Sequence, residues 1–351
     1  MVTIASGNAD RIFGNNARHD QTRTELFKPS RMKQKQHFRA ILTDVRKLLD
    51  EGEFEQARAI LSMLKNDPEI AALGPMTVLG MPRPLHAAML KLAKVTGDTL
   101  NRIAYQFTLV PPPALLARHA RFSSGDRIRM VTADRQAVPR VIHQIWIGPK
   151  PPPVTTVAWE AHAKMHGYGY KLWQEGDLRV IGTDRNPVFT NMLERGDFPG
   201  AVDVARYIIL GQLGGIYLDC DWYPARSDIS FHHRLALTGL SVIAEQTPRD
   251  TGIGSVLLSN AFIAAPAGHP VFERILEALP QVLREMPDAP AWWSTGPLLF
   301  TVVCRGGTVT IADGDLITGT AAHDASDETI NGLCAEAISG DGGLLLAWKP
   351  W

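Results

Sequence analysis

The hydrophobic rhythm of the chain changes partway along it. From Gln34 to Leu49 the apolar positions Phe38, Ile41, Leu42, Val45, Leu48 and Leu49 recur every three or four residues, the spacing that gathers them on one helical face. Asp50-Glu51-Gly52 breaks that stripe. Phe54, Ala57, Ile60, Leu61 and Leu64 then form a second one, which ends before Asp67-Pro68. Gly52 to Leu61 has the look of a tetratricopeptide-like hairpin, with no second copy at a matching interval. Two more helices are predicted from Leu85 to Val95 and from Leu100 to Phe107. Leu109-Val110-Pro111-Pro112-Pro113 reads as a stiff extended connector to a short helical run through Leu115, Leu116 and His119. These elements predict a helical lobe over 34–122. Residues 1–33 have no periodic apolar face and more basic than acidic side chains, and are expected to form a flexible basic tail.

Ser123-Ser124-Gly125-Asp126-Arg127 reads as a turn, after which the pattern is of another kind. Val141 to Ile147 is a nearly continuous apolar run, as in a strand covered on both faces. Tyr168 to Trp173 predicts a second strand and Asn186 to Leu193 a short helix. Val202, Ala205, Ile208 or Ile209, and Leu213 keep a helical period after Pro199-Gly200. Ile216-Tyr217-Leu218 follows as a short buried strand, entered through Gly214-Gly215. Further strands are expected at Ser241–Glu245, on both sides of Asn260, and at Thr308–Ile311, with a helix from His269-Pro270 through Leu279. Alternating strands and helices predict an α/β domain over 136–351.

Composition narrows the possibilities. Of 351 residues, 45% are hydrophobic and 21% charged, the profile of a soluble globular protein. Basic and acidic residues balance at 36 each, so no electrostatic case exists for a nucleic-acid partner. Cys220, Cys304 and Cys334 share no metal-binding spacing, and an odd count without a framework points to a reducing compartment. Met1 to Asp10 lacks the basic and apolar segments of a signal peptide, and no transmembrane segment of ~18 apolar residues is expected. The protein is therefore expected in the cytoplasm, or delivered to another cell without a classical signal peptide.

The candidate chemistry lies where the strand at Ile216–Leu218 runs out. Asp219 and Asp221 stand one residue apart, and two carboxylates so close do not sit well in an apolar core. At a strand exit they can converge on a divalent cation. Asp203 and Arg206, three apart in the preceding helix, share one face. They read either as a surface ion pair or, given how few charges that helix carries, as part of the same site. Cys220 alternates to the other side of the strand and reads as a small buried residue.

Asp203-Val-Ala-Arg206 followed by Gly214-Gly-Ile-Tyr-Leu-Asp-Cys-Asp221 resembles the core motif of the DxD sugar-binding glycosyltransferases, among them initiating α-mannosyltransferases and the catalytic domains of large clostridial glucosylating toxins. Val138 to Gly148, Asn260 to Pro270 and Ser294 to Pro297 resemble further family segments and occur in the family's order. The resemblance implies a GT-A fold with a Rossmann-like mixed sheet. It also implies a retaining transfer of a hexose or N-acetylhexosamine from a nucleotide sugar, UDP-linked in preference to GDP-linked, with Mn²⁺ or Mg²⁺. By the same resemblance Asp221 and Asp219 hold the metal, Arg206 faces the phosphates or sugar, and Asp203 accepts hydrogen bonds from donor hydroxyls. Trp146 stacks the base, with Gln144 in the same strand, and Asn260 contacts the donor. Gln174, Glu175 and Asp177 are polar candidates beside the nucleoside, and Thr295-Gly296 opens a helix end that phosphates could use.

The family also closes its site with a C-terminal segment. Here Trp348, Lys349 and Trp351 resemble a Lys-Pro-Trp tail whose lysine meets phosphate, either docked as packing or ordering as a lid. His323 is a candidate third metal ligand, 26 positions before Lys349. The acceptor is expected to be a protein, a glycan or a small molecule, and the helical lobe could hold it, contact a partner, or buttress the fold. Two other classes compete. A binding module on the same fold would bind sugar nucleotides without turnover, and a metal-dependent phosphohydrolase would release phosphate from simple esters.

Overall fold

The structure, a computed structural model, describes residues 28–351 except 78, 110–112, 245–256 and 288. Most of the predicted basic tail and the connection expected over Thr247–Gly254 lie outside the described residues. The chain divides at 110/111 into two compact units.

In the first unit, α1 (Lys28–Asp50), α2 (Phe54–Asn66), α3 (Arg83–Val95) and α4 (Thr99–Leu109) are the helices that the stripes predict. The first begins six residues before the predicted start. Gly52, at φ +82°, turns the chain between α1 and α2. Val45, Ala57, Leu61, Leu73 and Leu85 are buried in the core between the helices. Removing the valine and leucine side chains from water is worth roughly 1.5–3 kcal/mol each, so this packing outweighs the Lys91–Asp50 ion pair at 2.7 Å on the rim.

The second unit opens with a 3₁₀ segment, Pro113–Ala120, which packs on later helices of the same unit. Where a turn is expected after Ser123, the structure has α5 (Ser124–Ala133). The Ser123 side chain caps the Asp126 N–H while Asp126 returns to the Ser123 N–H. That reciprocal box is a start signal stronger than the Gly125 that suggests a break.

The main sheet has the order β2-β1-β3-β6-β5-β7, formed by β1 (Val141–Ile145), β2 (Gly169–Trp173), β3 (Gly215–Leu218), β5 (Ser241–Ala244), β6 (Leu258–Ala265) and β7 (Thr310–Ile311). Strands β2, β1 and β3 run parallel, and β6 runs antiparallel to β3 and β5. Helices α6 (Val154–Met165), α7 (Glu175–Val180), α8 (Pro187–Glu194) and α9 (Phe198–Leu213) connect the parallel strands. Asn260 sits within the continuous β6, not in a gap between two strands.

A second sheet is absent from the sequence-level expectation. It joins β4 (Trp222–Pro224), β8 (Ile317–Thr320) and β9 (Leu345–Ala347) in the order β4-β9-β8. The short α10 (Phe231–Arg234), then α11 (Pro270–Glu285), α12 (Ala291–Ser294), α13 (Pro297–Cys304) and α14 (Asp327–Ser339) complete the unit. This is an α/β fold with a mixed sheet flanked by helices, consistent with GT-A and preceded by a helical lobe. No helix among the described residues is long and apolar enough to cross a membrane.

Strand β1 lies between β2 and β3, so the chain leaves it in one direction and returns on its other side. A crevice opens at the carboxyl ends of strands where the order reverses in this way. Trp146 follows β1 there and Asp219 follows β3.

Candidate active site

Two glycines set the path into the site. Gly214 and Gly215 lie at φ +64° and +107°, a region other residues rarely adopt. A Cβ on Gly214 would lie 2.5 Å from the Ala267 backbone nitrogen, and one on Gly215 would lie 2.8 Å from His143 Nε2. His143 Nδ1 accepts the Trp173 indole N–H at 3.1 Å, which leaves Nε2 to donate to the Gly214 carbonyl at 3.0 Å. Burial lowers the His143 pKa to about 4, keeping the ring neutral in that role.

Beyond Leu218 each residue of Asp219-Cys220-Asp221 is held from a different side. The Asp219 N–H donates to Ala261 O at 2.9 Å, and Gln144 Nε2 donates to Asp219 O at 3.3 Å. Cys220 is buried, as expected, and its thiol donates to Ile145 O at 3.3 Å. Its carbonyl accepts from Thr155 Oγ1. The Asp221 carbonyl accepts the Trp348 N–H at 2.8 Å. Where the aspartates stand is therefore set by main-chain geometry.

Their electrostatics differ. Asp219 Oδ1 accepts the Tyr217 hydroxyl at 2.6 Å and pairs with Arg206 Nη2 at 3.1 Å. The Arg206 guanidinium lies over the Tyr217 ring at 4.5 Å and donates to Asn260 O at 2.5 Å. Burial works against its charge, but Asp219, Tyr217 and Asp203 outweigh that and hold its pKa above the ordinary value. Asp221 has no ion pair within 4 Å among the described residues. Burial pushes its carboxyl up to about 6, the charge of Asp219 adds to this, and Lys349 relieves part of it. The site thus contains one compensated and one uncompensated carboxylate.

Both line a cavity of about 460 Å³ with Arg206, Tyr217, Lys349, Trp146 and Trp351. Ile147, Pro149, Phe198 and Pro199 form an apolar wall. The Trp146 indole donates to Lys150 O at 2.7 Å, and Trp351 meets its ring edge-on at 5.1 Å. Lys349 Nζ lies 5.7 Å from the Trp351 ring. Glu175, one of the candidates beside the nucleoside, accepts the Gly148 N–H at 2.7 Å and so fixes the loop after Trp146.

Other predicted site residues lie elsewhere. Gln144 is fully buried and joins Asp219 O to the Tyr170 hydroxyl. Asp203 and Asn260 are buried behind Arg206 and do not line the cavity. Trp348 packs with Tyr223, Ala225, Ile330 and Leu346. His323 is exposed in the turn before α14. Among the described residues no group of three or more His, Cys, Asp or Glu side chains is placed to hold a metal, so His323 does not join the aspartates. Tyr217 is the site residue that the sequence reading missed. Its place in an apolar strand marked it as core, and the signal was its position two residues before Asp219, on the same strand face.

A divalent cation fits this donor set. Asp221 supplies a carboxylate without a cation, Asp219 keeps Oδ2 beside its engaged Oδ1, and hard oxygen ligands suit Mn²⁺ or Mg²⁺. Two protein carboxylates leave the remaining positions for water and ligand oxygens.

Residues 152–235 match the profile of the family described as "Glycosyltransferase sugar-binding region containing DXD motif". Inositol phosphoceramide mannosyltransferase 3 of Schizosaccharomyces pombe is 28% identical over 173 residues, 48% of this chain and 45% of that protein. Inositol phosphoceramide mannosyltransferase 2 of the same yeast is 28% identical over 165 residues, 46% of this chain and 44% of that protein. The chain thus matches less than half the length of these relatives. Among solved structures, the PaToxG glycosyltransferase is 17% identical with a TM-score of 0.38, covering 55% of this chain and 78% of its own. The DXD motif at the end of β3 thus lies in the part of the chain, residues 152–235, that matches this glycosyltransferase family.

Proposed function

We propose that the chain is a metal-dependent retaining glycosyltransferase that moves a hexose or N-acetylhexosamine from a nucleotide sugar, UDP-linked in preference, to a protein, glycan or small-molecule acceptor. The observation that carries this reading is the uncompensated Asp221 in the same cavity as Trp146. A nucleoside diphosphate needs a flat apolar surface for its base and neutralisation of its phosphates, and this cavity offers both.

Asp221 and the outward oxygen of Asp219 would hold Mn²⁺ or Mg²⁺, which when bound neutralises the leaving diphosphate. Trp146 takes the base on a face whose tilt its indole hydrogen bond fixes. Lys349 reaches the cavity as a mobile point charge suited to phosphate. Arg206 takes a different part from the one the resemblance implies. Its Nη2 is committed to Asp203 and Asp219 and its Nη1 to Asn260 O, so it acts mainly by orienting Asp219. Tyr217 supports the same oxygen from the other side. The apolar wall keeps water from the anomeric carbon. Retention by front-side displacement requires no protein nucleophile, and none is assigned.

A second reading, transfer of mannose from a GDP-linked donor to an acceptor with a ceramide-like apolar part, has two supports. They are the names of the fungal relatives and the Ile147–Pro149–Phe198–Pro199 wall. A thermal-shift panel of UDP- and GDP-sugars with and without Mn²⁺ separates the two, because a specific ligand adds stability in proportion to its occupancy. Metal-dependent stabilisation by one nucleotide series, with slow hydrolysis of its sugar, is the expected result. Binding without any turnover would favour a non-catalytic module. No shift with any nucleotide sugar would overturn the proposal.

A further inference from the structure

Asp203 is expected from the resemblance to bind donor hydroxyls, yet both its oxygens face inward. Oδ1 accepts from Asn260 Nδ2 at 2.8 Å and pairs with Arg206 Nη2 at 3.0 Å. Oδ2 accepts the Thr295 hydroxyl at 2.8 Å. The Asn260 amide also donates to the Tyr207 hydroxyl at 3.1 Å, and that hydroxyl donates to Thr295 O at 2.8 Å. Five side chains from α9, β6 and the turn between α12 and α13 close this network, and none is more than 6% exposed. The turn is shaped to admit it: a Cβ on Gly296 would stand 3.0 Å from Asp203 Oδ2. The N–H groups of Thr295 and Gly296 both go to Ala291 O, at 2.9 and 2.8 Å, and close the end of α12.

We propose that Thr295 and Tyr207 are positioning residues of the site. They fix Asp203, Asp203 fixes the Arg206 guanidinium, and Arg206 holds Asp219 so that Oδ1 points inward and the other oxygen is left to the cavity. The inference rests on the reading of Asp219 and Asp221 as a cation site. The physical reason is scarcity of donors. Arginine carries five N–H groups. Here Nε is turned to Val202 O, Nη1 donates to Asn260 O, and Nη2 is divided between the two aspartates. A buried carboxylate that loses the Thr295 hydroxyl must recover a partner or bear the cost of an unsatisfied charge. The charged donor beside it is the guanidinium, 3.0 Å from Oδ1, which it draws away from Asp219. Burial already pushes the Asp203 carboxyl up to about 6 against the pull of Arg206, so the site has little spare stabilisation to lose.

The test is Mn²⁺ uptake by the full chain, followed by loss of the free-ion electron paramagnetic resonance signal, with melting curves on the same preparations. Thr295→Val removes the hydroxyl at constant shape, Thr295→Ser keeps it, and Tyr207→Phe removes the other hydroxyl. The Tyr207 ring stacks on Phe300 at 5.9 Å, so Tyr207→Phe keeps its packing and decides the matter should Thr295→Val fail to fold. The expected result is Mn²⁺ affinity weakened about tenfold in Thr295→Val and Tyr207→Phe, the lower end for residues behind a metal ligand, and restored in Thr295→Ser. Variants that melt earlier yet take up Mn²⁺ like the wild type would show that the network serves stability alone, and would overturn the inference. A wild-type chain that takes up no Mn²⁺ would overturn the metal reading itself, and the inference with it.

Discussion

Two buried guanidinium groups, Arg206 and Arg226, answer the same physical problem in different ways. Each is at most 5% exposed and each meets two aspartates. Arg226 forms a fork with Asp228 at 2.7 and 2.8 Å, reaches Asp341 at 3.1 Å, and donates to the carbonyls of Ala337 and Gly342. Its carboxylate partners are 46% and 81% exposed, so water shares their charge. It fastens the end of α14 to the loop after β4. The partners of Arg206 are 8% and 29% exposed, and beside them stands Asp221, which Arg206 does not reach within 4 Å. Three carboxylates there face one guanidinium and one ammonium, that of Lys349. Burial of an arginine is therefore not what marks a functional site. The mark is an unbalanced carboxylate next to a balanced pair, open to a cavity.

Replacing each arginine by methionine is the strongest way to break this comparison. Arg206→Met leaves Asp203 buried without its cation, and breaking a buried pair costs about 3–5 kcal/mol. Asp219 loses its orientation as well, so Mn²⁺ uptake should fall with stability. Arg226→Met strands two carbonyls at about 1–3 kcal/mol and leaves Mn²⁺ and nucleotide binding unchanged. Denaturant unfolding and metal titration on both variants read this directly, and equal losses of binding would erase the distinction.

Asp221→Asn sharpens the comparison from the other side. It removes the uncompensated charge without disturbing the Arg206 pair, so the fold survives and the unliganded protein melts no earlier than the wild type. Donor hydrolysis and transfer should drop by about 100-fold or more, the scale of losing one group that stabilises developing charge. Full activity of Asp221→Asn at saturating donor and trace metal would remove Asp221 from the site.

Much of this geometry is legible in the sequence because its signals are local. The apolar run of β1, the period of α9 and the Gly214-Gly215 entry to β3 each state their structure within a dozen residues, and they place Asp219 and Asp221 at a strand exit. What is not legible depends on pairing across long separations. β4 is three residues long and pairs with β9 more than a hundred positions away, so Leu344 to Trp351 reads as a tail although Leu345–Ala347 is the central strand of a sheet. Within the site, Asp203 and Asn260 read as donor contacts, whereas the structure turns both inward. Asp203 and Tyr207 stand four apart on one helical face, the available hint that the aspartate has partners within the core.

That architecture decides how the C-terminal segment can be tested. Truncation from Leu345 would remove β9 and unfold the second sheet, whereas removal of Lys349, Pro350 and Trp351 leaves β9 and the Trp348 packing in place. The shorter truncation should keep its melting temperature and weaken nucleoside diphosphate binding about tenfold, equivalent to roughly 1.4 kcal/mol. Unchanged affinity, measured by calorimetry with UDP and GDP, would show that Lys349 and Trp351 border the cavity without serving it.

The smallest effect is in the acid titration of the two arginine variants. Hydrogen bonds from Arg226 lower the Asp228 pKa below the ordinary carboxylate value. Its contribution is then present above that ordinary value and lost as pH falls through the folded one. The gap in stability between the wild type and Arg226→Met should stay constant from about pH 7.5 to about pH 4.5 and narrow only below the ordinary carboxyl range of about 4. Asp203 behaves oppositely. Burial raises it to about 6 even with Arg206 present, and loss of the guanidinium raises it further. In Arg206→Met the stranded carboxyl therefore takes a proton near neutrality, and its penalty is already relieved as pH falls through about 6. Urea midpoints of the three proteins across this range separate the two windows. If the Arg226→Met gap closed as early as that of Arg206→Met, the Arg226 carboxylates would be as desolvated as Asp203, and exposure of their partners would not be what distinguishes the two arginines.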